Sequence, residues 1–194
     1  PPNRSMFYFD YGFGSAHDYP SFMTKHEKRR RVVFAGANDG LLHAFDGGIW
    51  DRDRSSTGET YDKQHDLGDG SELFTYLPNA VMPQLYEMTY GDYQQYMVDG
   101  PIEVSDAYID PAGGSNPEWR TVALVNMRRG GRGMVALDIT QPDPLDADDV
   151  PKEAADQFPG CLNASADPVD CDLDYPTVLW ELEDTQDRDG NCAL

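Results

Sequence analysis

Basic residues are scarce in this sequence. Fifteen lysines and arginines stand against 35 aspartates and glutamates, a formal net charge of −20. A surface of that sign repels a phosphate backbone, which argues against a nucleic-acid partner. Long apolar runs are missing too, and no stretch approaches the ~20 residues that a membrane-spanning helix needs. The opening Pro1-Pro2-Asn3-Arg4 has none of the features of a signal peptide. The expectation is that a leader has been removed or that the chain begins within a longer protein. Cysteine is nearly absent, with Cys161, Cys171 and Cys192 only. No Cys-x-x-Cys spacing or histidine pattern accompanies them, so they make a poor zinc site. In an exported protein Cys161 and Cys171 are the candidate disulfide, across a short polar loop, and the partner of Cys192 stays open. The four histidines, His17, His26, His43 and His65, lie in unrelated contexts. No Ser/His/Asp or Cys/His nucleophile set stands out, so no catalytic residue is assigned.

What is present points to a turn-rich β protein. Hydrophobic residues make up 39 % of the chain and aromatics 11 %, with 18 glycines and 14 prolines. A short helix is predicted from Pro20 to Lys28. The basic run Lys25 to Arg31 then leads into a strand, with its charges solvated or paired within the acidic chain. Val32-Val33-Phe34-Ala35 and Leu41-Leu42-His43-Ala44-Phe45-Asp46 are strands joined by Gly36-Ala37-Asn38-Asp39-Gly40, a hairpin. Glu72 to Tyr76 resumes strand character after a polar insertion. The tyrosines between residues 78 and 98 read as rings packing one or two helical turns onto a sheet. Ile102 to Tyr108 alternates as a strand. Trp119 to Val125 and Met134 to Asp138 form a second hairpin around Gly130-Gly131-Arg132-Gly133, and Thr177 to Leu182 closes the pattern. Asp143 and the other acidic residues of 141–176 read as surface.

An internal repeat follows. Ala44-Phe45-Asp46 and Ala136-Leu137-Asp138 end hairpins of the same kind, each followed after a loop by an aromatic-bearing strand, Phe74 in one and Trp180 in the other. That unit is a propeller blade, which must stack on neighbours to bury its faces. The fold class expected is all-β, an incomplete β-propeller of about two blades with short helical connections and long acidic loops. Residues 1–31 lead in, and 32–194 form the partial propeller.

The stretch Val33 to Asp46, carrying Gly36, Asn38, Asp39, Gly40, His43 and Asp46, resembles the signature hairpin of the PilC/PilY C-terminal domain. Four further stretches resemble that family in order: Glu72 to Pro78, Tyr96-Met97-Val98-Asp99-Gly100, Trp119 through Gly133 to Thr140, and Leu179-Trp180-Glu181. The resemblance implies an exported, non-enzymatic type IV pilus biogenesis factor at the outer-membrane surface, the pilus tip or the extracellular space. It implies pilins or minor pilins as partners, and attachment to host or abiotic surfaces. It also implies a calcium loop. Asp187, Asp189 and Asn191 are the candidate ligands, although Thr185 stands at the first ligand position. Asp66, Asp69 and Glu72 form a weaker candidate.

Two other readings compete. Ala-x-Asp followed by tryptophan also resembles blades of quinoprotein dehydrogenases, which hold pyrroloquinoline quinone with calcium at the propeller axis. No adjacent-cysteine pair or convincing base accompanies it, and His43, inside a strand, reads as structural. The other is a propeller scaffold for outer-membrane assembly. Asn163-Ala164-Ser165 is a glycosylation sequon only where that machinery exists.

Overall fold

The computed structural model describes residues 18–50, 65–89, 96–111, 113–131, 133–143 and 175–183. Helix α1 (Tyr19–His26) precedes strands β1 (Val32–Gly36), β2 (Leu42–Asp46) and β3 (Glu72–Tyr76). A 3₁₀ turn (Asn79–Val81) runs directly into α2 (Met82–Met88). Strands β4 (Ile102–Ile109), β5 (Glu118–Asn126), β6 (Gly133–Asp138) and β7 (Thr177–Glu183) follow. The strands form two antiparallel meanders, β1-β2-β3 and β4-β5-β6-β7. The repeat read from the sequence accounts for three strands of each sheet. Strand β4 is the addition: it pairs with β5 from Ile102↔Val125 to Ile109↔Glu118. Two such sheets cannot close a ring that takes ~4–8 blades. The fold is therefore an incomplete β-propeller.

Each half of the repeat carries the same irregularity. The β2–β3 register shifts between Ala44 and Phe45, and the β6–β7 register shifts between Ala136 and Leu137. A bulge bends its strand and re-aims the residues beside it. Here it precedes Asp46 and Asp138, which end their strands as buried carboxylates.

One hydrophobic cluster spans both sheets. Strand β5 alternates strictly, with Trp119, Thr121, Ala123 and Val125 buried and the residues between them half-buried. Ala123 and Val125 join Val135 and Leu137 of β6 and Leu42 of β2. Full burial of a valine or leucine side chain contributes about 1.5–3 kcal/mol, so this shared cluster is the main force pressing the sheets together. The face of β7 that carries Val178, Trp180 and Leu182 stays exposed.

Helix α1 docks on the second blade. Asp18 caps it, its Oδ1 accepting from the Ser21 N–H at 3.1 Å, and Pro20 sits in the first turn. Tyr19 and Phe22 pack against Trp119 with their rings tilted to it, centroids 4.8 and 6.5 Å away. The buried Tyr19 hydroxyl donates to Asp106 of β4 at 2.7 Å. His26, on the same helix, is held down to about 4 by burial. Its ring is therefore neutral near pH 7, with Nδ1 2.8 Å from Gln141 Oε1.

Candidate functional site at the blade seam

The two blades meet across a short strap, Met97 to Gly100, between α2 and β4. Met97 and Val98 are fully buried. On one side the Val98 N–H donates to the Ala37 carbonyl at 3.1 Å, and the Met97 N–H donates to Asn38 Oδ1 at 3.3 Å. On the other side Asp99 Oδ1 accepts from the N–H groups of Arg129 and Gly130 at 2.9 and 3.0 Å. The strap is thus bonded to the β1–β2 turn of one blade and the β5–β6 turn of the next. Two glycines make the approach possible. A Cβ on Gly36 would lie 2.3 Å from the Val98 carbonyl oxygen, and one on Gly130 would lie 1.5 Å from that of Met97. Gly40 faces Leu85 and Met97 from the same turn.

His43 is set between two carboxylates. Its Nδ1 lies 2.5 Å from Glu72 Oε1 on β3, and its Nε2 lies 2.9 Å from Asp39 Oδ2 in the turn. Asp39 Oδ1 also accepts from the Leu41 N–H at 2.9 Å. Carboxylates are acceptors only, so both ring nitrogens must donate, and the geometry selects the imidazolium. The hydrogen bond to Glu72 is the largest influence raising the His43 pKa, with Asp39 adding to it. The ring ties the turn to β3.

Below the turns runs a buried charge network. Arg30 Nη1 donates to Asp46 at 2.7 Å, and its Nε reaches both oxygens of Asp143 at 3.0 and 3.1 Å. Asp46 also accepts from the Gly48 and Asp69 N–H groups at 3.3 and 3.1 Å. Its counterpart Asp138 accepts from the Thr140 N–H at 2.9 Å and lies 3.3 Å from Arg120 Nη1. Both halves of the repeat therefore end in an aspartate that caps the N–H two residues on and pairs with an arginine. Arg29 Nη1 donates to Thr121 Oγ1 at 2.9 Å and to the Thr140 carbonyl at 2.7 Å, and Thr121 passes its own hydrogen to Asp106 at 2.5 Å. A second link joins the blades: Glu181 of β7 accepts from the Tyr76 hydroxyl of β3 and, at 3.1 Å, from the Asn79 N–H.

Three expectations change. Arg29 and Arg30 are buried, as is Asp143, whereas the sequence reading left the arginines either solvated or paired and placed Asp143 on the surface; Arg30 is paired, with Asp46 and Asp143. The chain passes from α1 to β1 through the seam, and paired charges are tolerated there. Tyr86 and Tyr96 are 69 and 50 % exposed, not packed on a sheet, with Arg129 5.4 Å above the Tyr96 ring. Asp66, Asp69 and Glu72 are each engaged elsewhere: Asp66 with the Ile49 and Gly68 N–H groups, Asp69 with that of Ser71, and Glu72 with His43. Among the described residues no group of three or more acidic, histidine or cysteine side chains is placed to hold a metal. Asp187, Asp189 and Asn191, like Cys161, Cys171 and Cys192, lie outside the described residues. The Arg30–Asp143 pair left no periodic trace, yet two repeat-ending aspartates were a signal that arginine partners should be sought.

Two antiparallel meanders bonded through a common strap, each ending in a bulge and a capped aspartate, define adjacent blades of a β-propeller protein. The sequence matches the PilY1 beta-propeller domain family over residues 4–187, and the chain belongs to that family. It is 36 % identical over 145 residues to the type IV pilus biogenesis factor PilY1 homolog of Xylella fastidiosa, covering 74 % of this chain and 10 % of that one. It is 35 % identical over 132 residues to type IV pilus biogenesis factor PilY1 of Pseudomonas aeruginosa, covering 66 % of this chain and 9 % of that one. The chain thus spans about a tenth of the length of these relatives. The crystal structure of the Pseudomonas aeruginosa PilY1 C-terminal domain aligns over 97 % of this chain and 26 % of its own length at 25 % identity. Its TM-score of 0.49 is too low to carry an argument about geometry.

Two predictions follow from the seam. Gly130→Ala destabilises the fold by about 1–3 kcal/mol or more, because the methyl group meets fixed backbone. The neighbouring Gly131→Ala, whose nearest contact would be 3.4 Å, stays within ~0.5 kcal/mol. Urea denaturation of both variants checks the pair. His43 is expected to titrate above the ordinary value of 6.5. Its stabilising contribution is then complete below pH 6.5 and is lost as pH rises through the raised pKa. Imidazole NMR titration reads the shift directly, and Glu72→Gln should move it back down.

Proposed function

We propose that this chain is the seam-forming part of a propeller in a type IV pilus biogenesis factor, acting without catalysis as an assembly and attachment module. Pilins or minor pilins are its partners, at the pilus tip or the outer surface. The observation that carries the reading is family membership along residues 4–187, together with relatives named as pilus biogenesis factors that align over 145 and 132 residues of the chain. The seam supports a scaffold role. Asp46, Asp138, Asp143, Arg30 and His43 all bind other parts of the fold, which leaves them poorly placed to attack a substrate. The exposed Tyr86, Tyr96 and Arg129 near the strap are residue types that favour protein contacts.

The test is genetic and uses the full-length protein. Deleting its gene should abolish surface pili, the wild-type gene should restore them, and a Gly130→Val gene expressed to the same level should not. A deletion strain with normal piliation would refute the proposal.

Calcium enters the proposal only through Asp187, Asp189 and Asn191. Calorimetry on the purified chain should show binding with a Kd on the order of micromolar, lost in Asp187→Ala and Asp189→Ala. Absence of heat, or heat unchanged in both variants, removes calcium from the reading.

A further inference from the structure

A cavity of about 190 Å³ opens between the blades, beside β1 and β4. Val32, Phe34, Val104 and Ile139 give it an apolar side, and Arg29, Arg30, Arg31, Thr121 and Tyr175 bring polar groups to it. Among the described residues no aspartate or glutamate lines it, although the chain carries a formal charge of −20. Three arginines line it, and the carboxylates that neighbour them, Asp46, Asp106, Asp138 and Asp143, are not part of the lining.

Arg29 is the group that defines it. The residue is 7 % exposed. Its Nη1 is taken by Thr121 Oγ1 and the Thr140 carbonyl. Nε and Nη2 have no acceptor among the described residues, and neither is sealed away from solvent. No carboxylate of a described residue forms a contact ion pair with it; Asp106, which accepts from the Thr121 hydroxyl, and Asp138 act on its charge from beyond hydrogen-bond distance. A guanidinium is a planar fork that matches a carboxylate with two parallel hydrogen bonds. Burial between apolar walls strengthens such a pair relative to water. The volume falls below the roughly 300–1,000 Å³ of ordinary small-molecule pockets. The cavity can enclose one small group, and a nucleotide or quinone would lie mostly outside it.

We infer that this cavity is a binding site for a carboxylate carried on a short apolar body, with Arg29 as the anion-binding residue and the Val32, Phe34, Val104 and Ile139 walls holding the body. A small organic acid and an acidic side chain of a peptide share this chemistry. The inference stands on the cavity and is independent of the pilus reading.

The test is an NMR titration of the full chain, following the arginine Nε–H resonances. The probes are isocaproate, its neutral analogue isocaproamide, and the blocked dipeptide leucyl-glutamate. Saturable binding of a carboxylate probe, about tenfold or more tighter than the amide, is the expected result. The free acid binding tighter assigns a metabolite-like ligand, and the dipeptide binding tighter assigns a peptide. Arg29→Gln should abolish the effect. Because that variant also removes bonds to Thr121 and Thr140, Val104→Trp serves as the second variant. It fills the cavity from a position that is 49 % exposed, on a strand that accepts aromatic residues, and it too should abolish binding. Equal titration by acid and amide, no saturable shift with either carboxylate, or binding undiminished in Val104→Trp would overturn the assignment.

Discussion

Everything in this structure hangs on the strap from Met97 to Gly100. It makes backbone-level hydrogen bonds with the Ala37–Asn38 turn on one side and the Arg129–Gly130 turn on the other. The bonds of Met97 and Gly130 are half-buried, so leaving either unmade would cost the desolvation of a polar group, about 1–3 kcal/mol. The hydrophobic cluster presses the sheets together but is not directional. The strap supplies the direction, and it sets which turn of one blade faces which turn of the next. The stretches that resemble the family include these turns and the strap itself. The signature residues thus gain a physical meaning: Gly36, Asn38 and Gly40 make a surface onto which a second blade can be hooked.

The charges of the seam obey the same logic. A chain with so many carboxylates would repel itself if they were all left in solvent. Some are drawn inward, where Arg30 bridges Asp46 and Asp143; burial, with Asp46 nearby, holds the Asp143 pKa above the usual carboxylate value, and Arg30 offsets only part of that rise. Buried pairs of this kind contribute little net stability, but losing one partner is severe. They act as registration marks between α1, the first blade and the segment after β6. Arg29 departs from this scheme, since Asp106 and Asp138 act on its charge without forming a contact ion pair with it. His26 and His43 show how far local setting governs one residue type, with burial driving the first neutral and two carboxylates holding the second charged.

Membership of the PilY1 propeller family and the seam geometry answer different questions. The first says what kind of larger protein this chain is related to. The second says how two blades of such a protein are joined, which surfaces are consumed by the join, and which remain. The outward face of β7, with Val178, Trp180 and Leu182, and the tyrosines beside the strap remain.

The strands, their order and the propeller class were legible in the sequence, because alternation, β-branched runs and Gly-containing turns are local signals. The Ala-x-Asp repeat coincides with both bulges, although nothing in it signals a shift of register. What was not legible is which charged and aromatic side chains go inside. Arg29, Arg30 and Asp143 look like any solvated charges, and they are buried only because partners 16 to 113 residues away arrive at the same place. Tyr86 and Tyr96 look like core residues, and the rim of the seam leaves them in solvent. Local pattern determines the elements. Burial of charge depends on long-range pairing, and only the tertiary structure decides it.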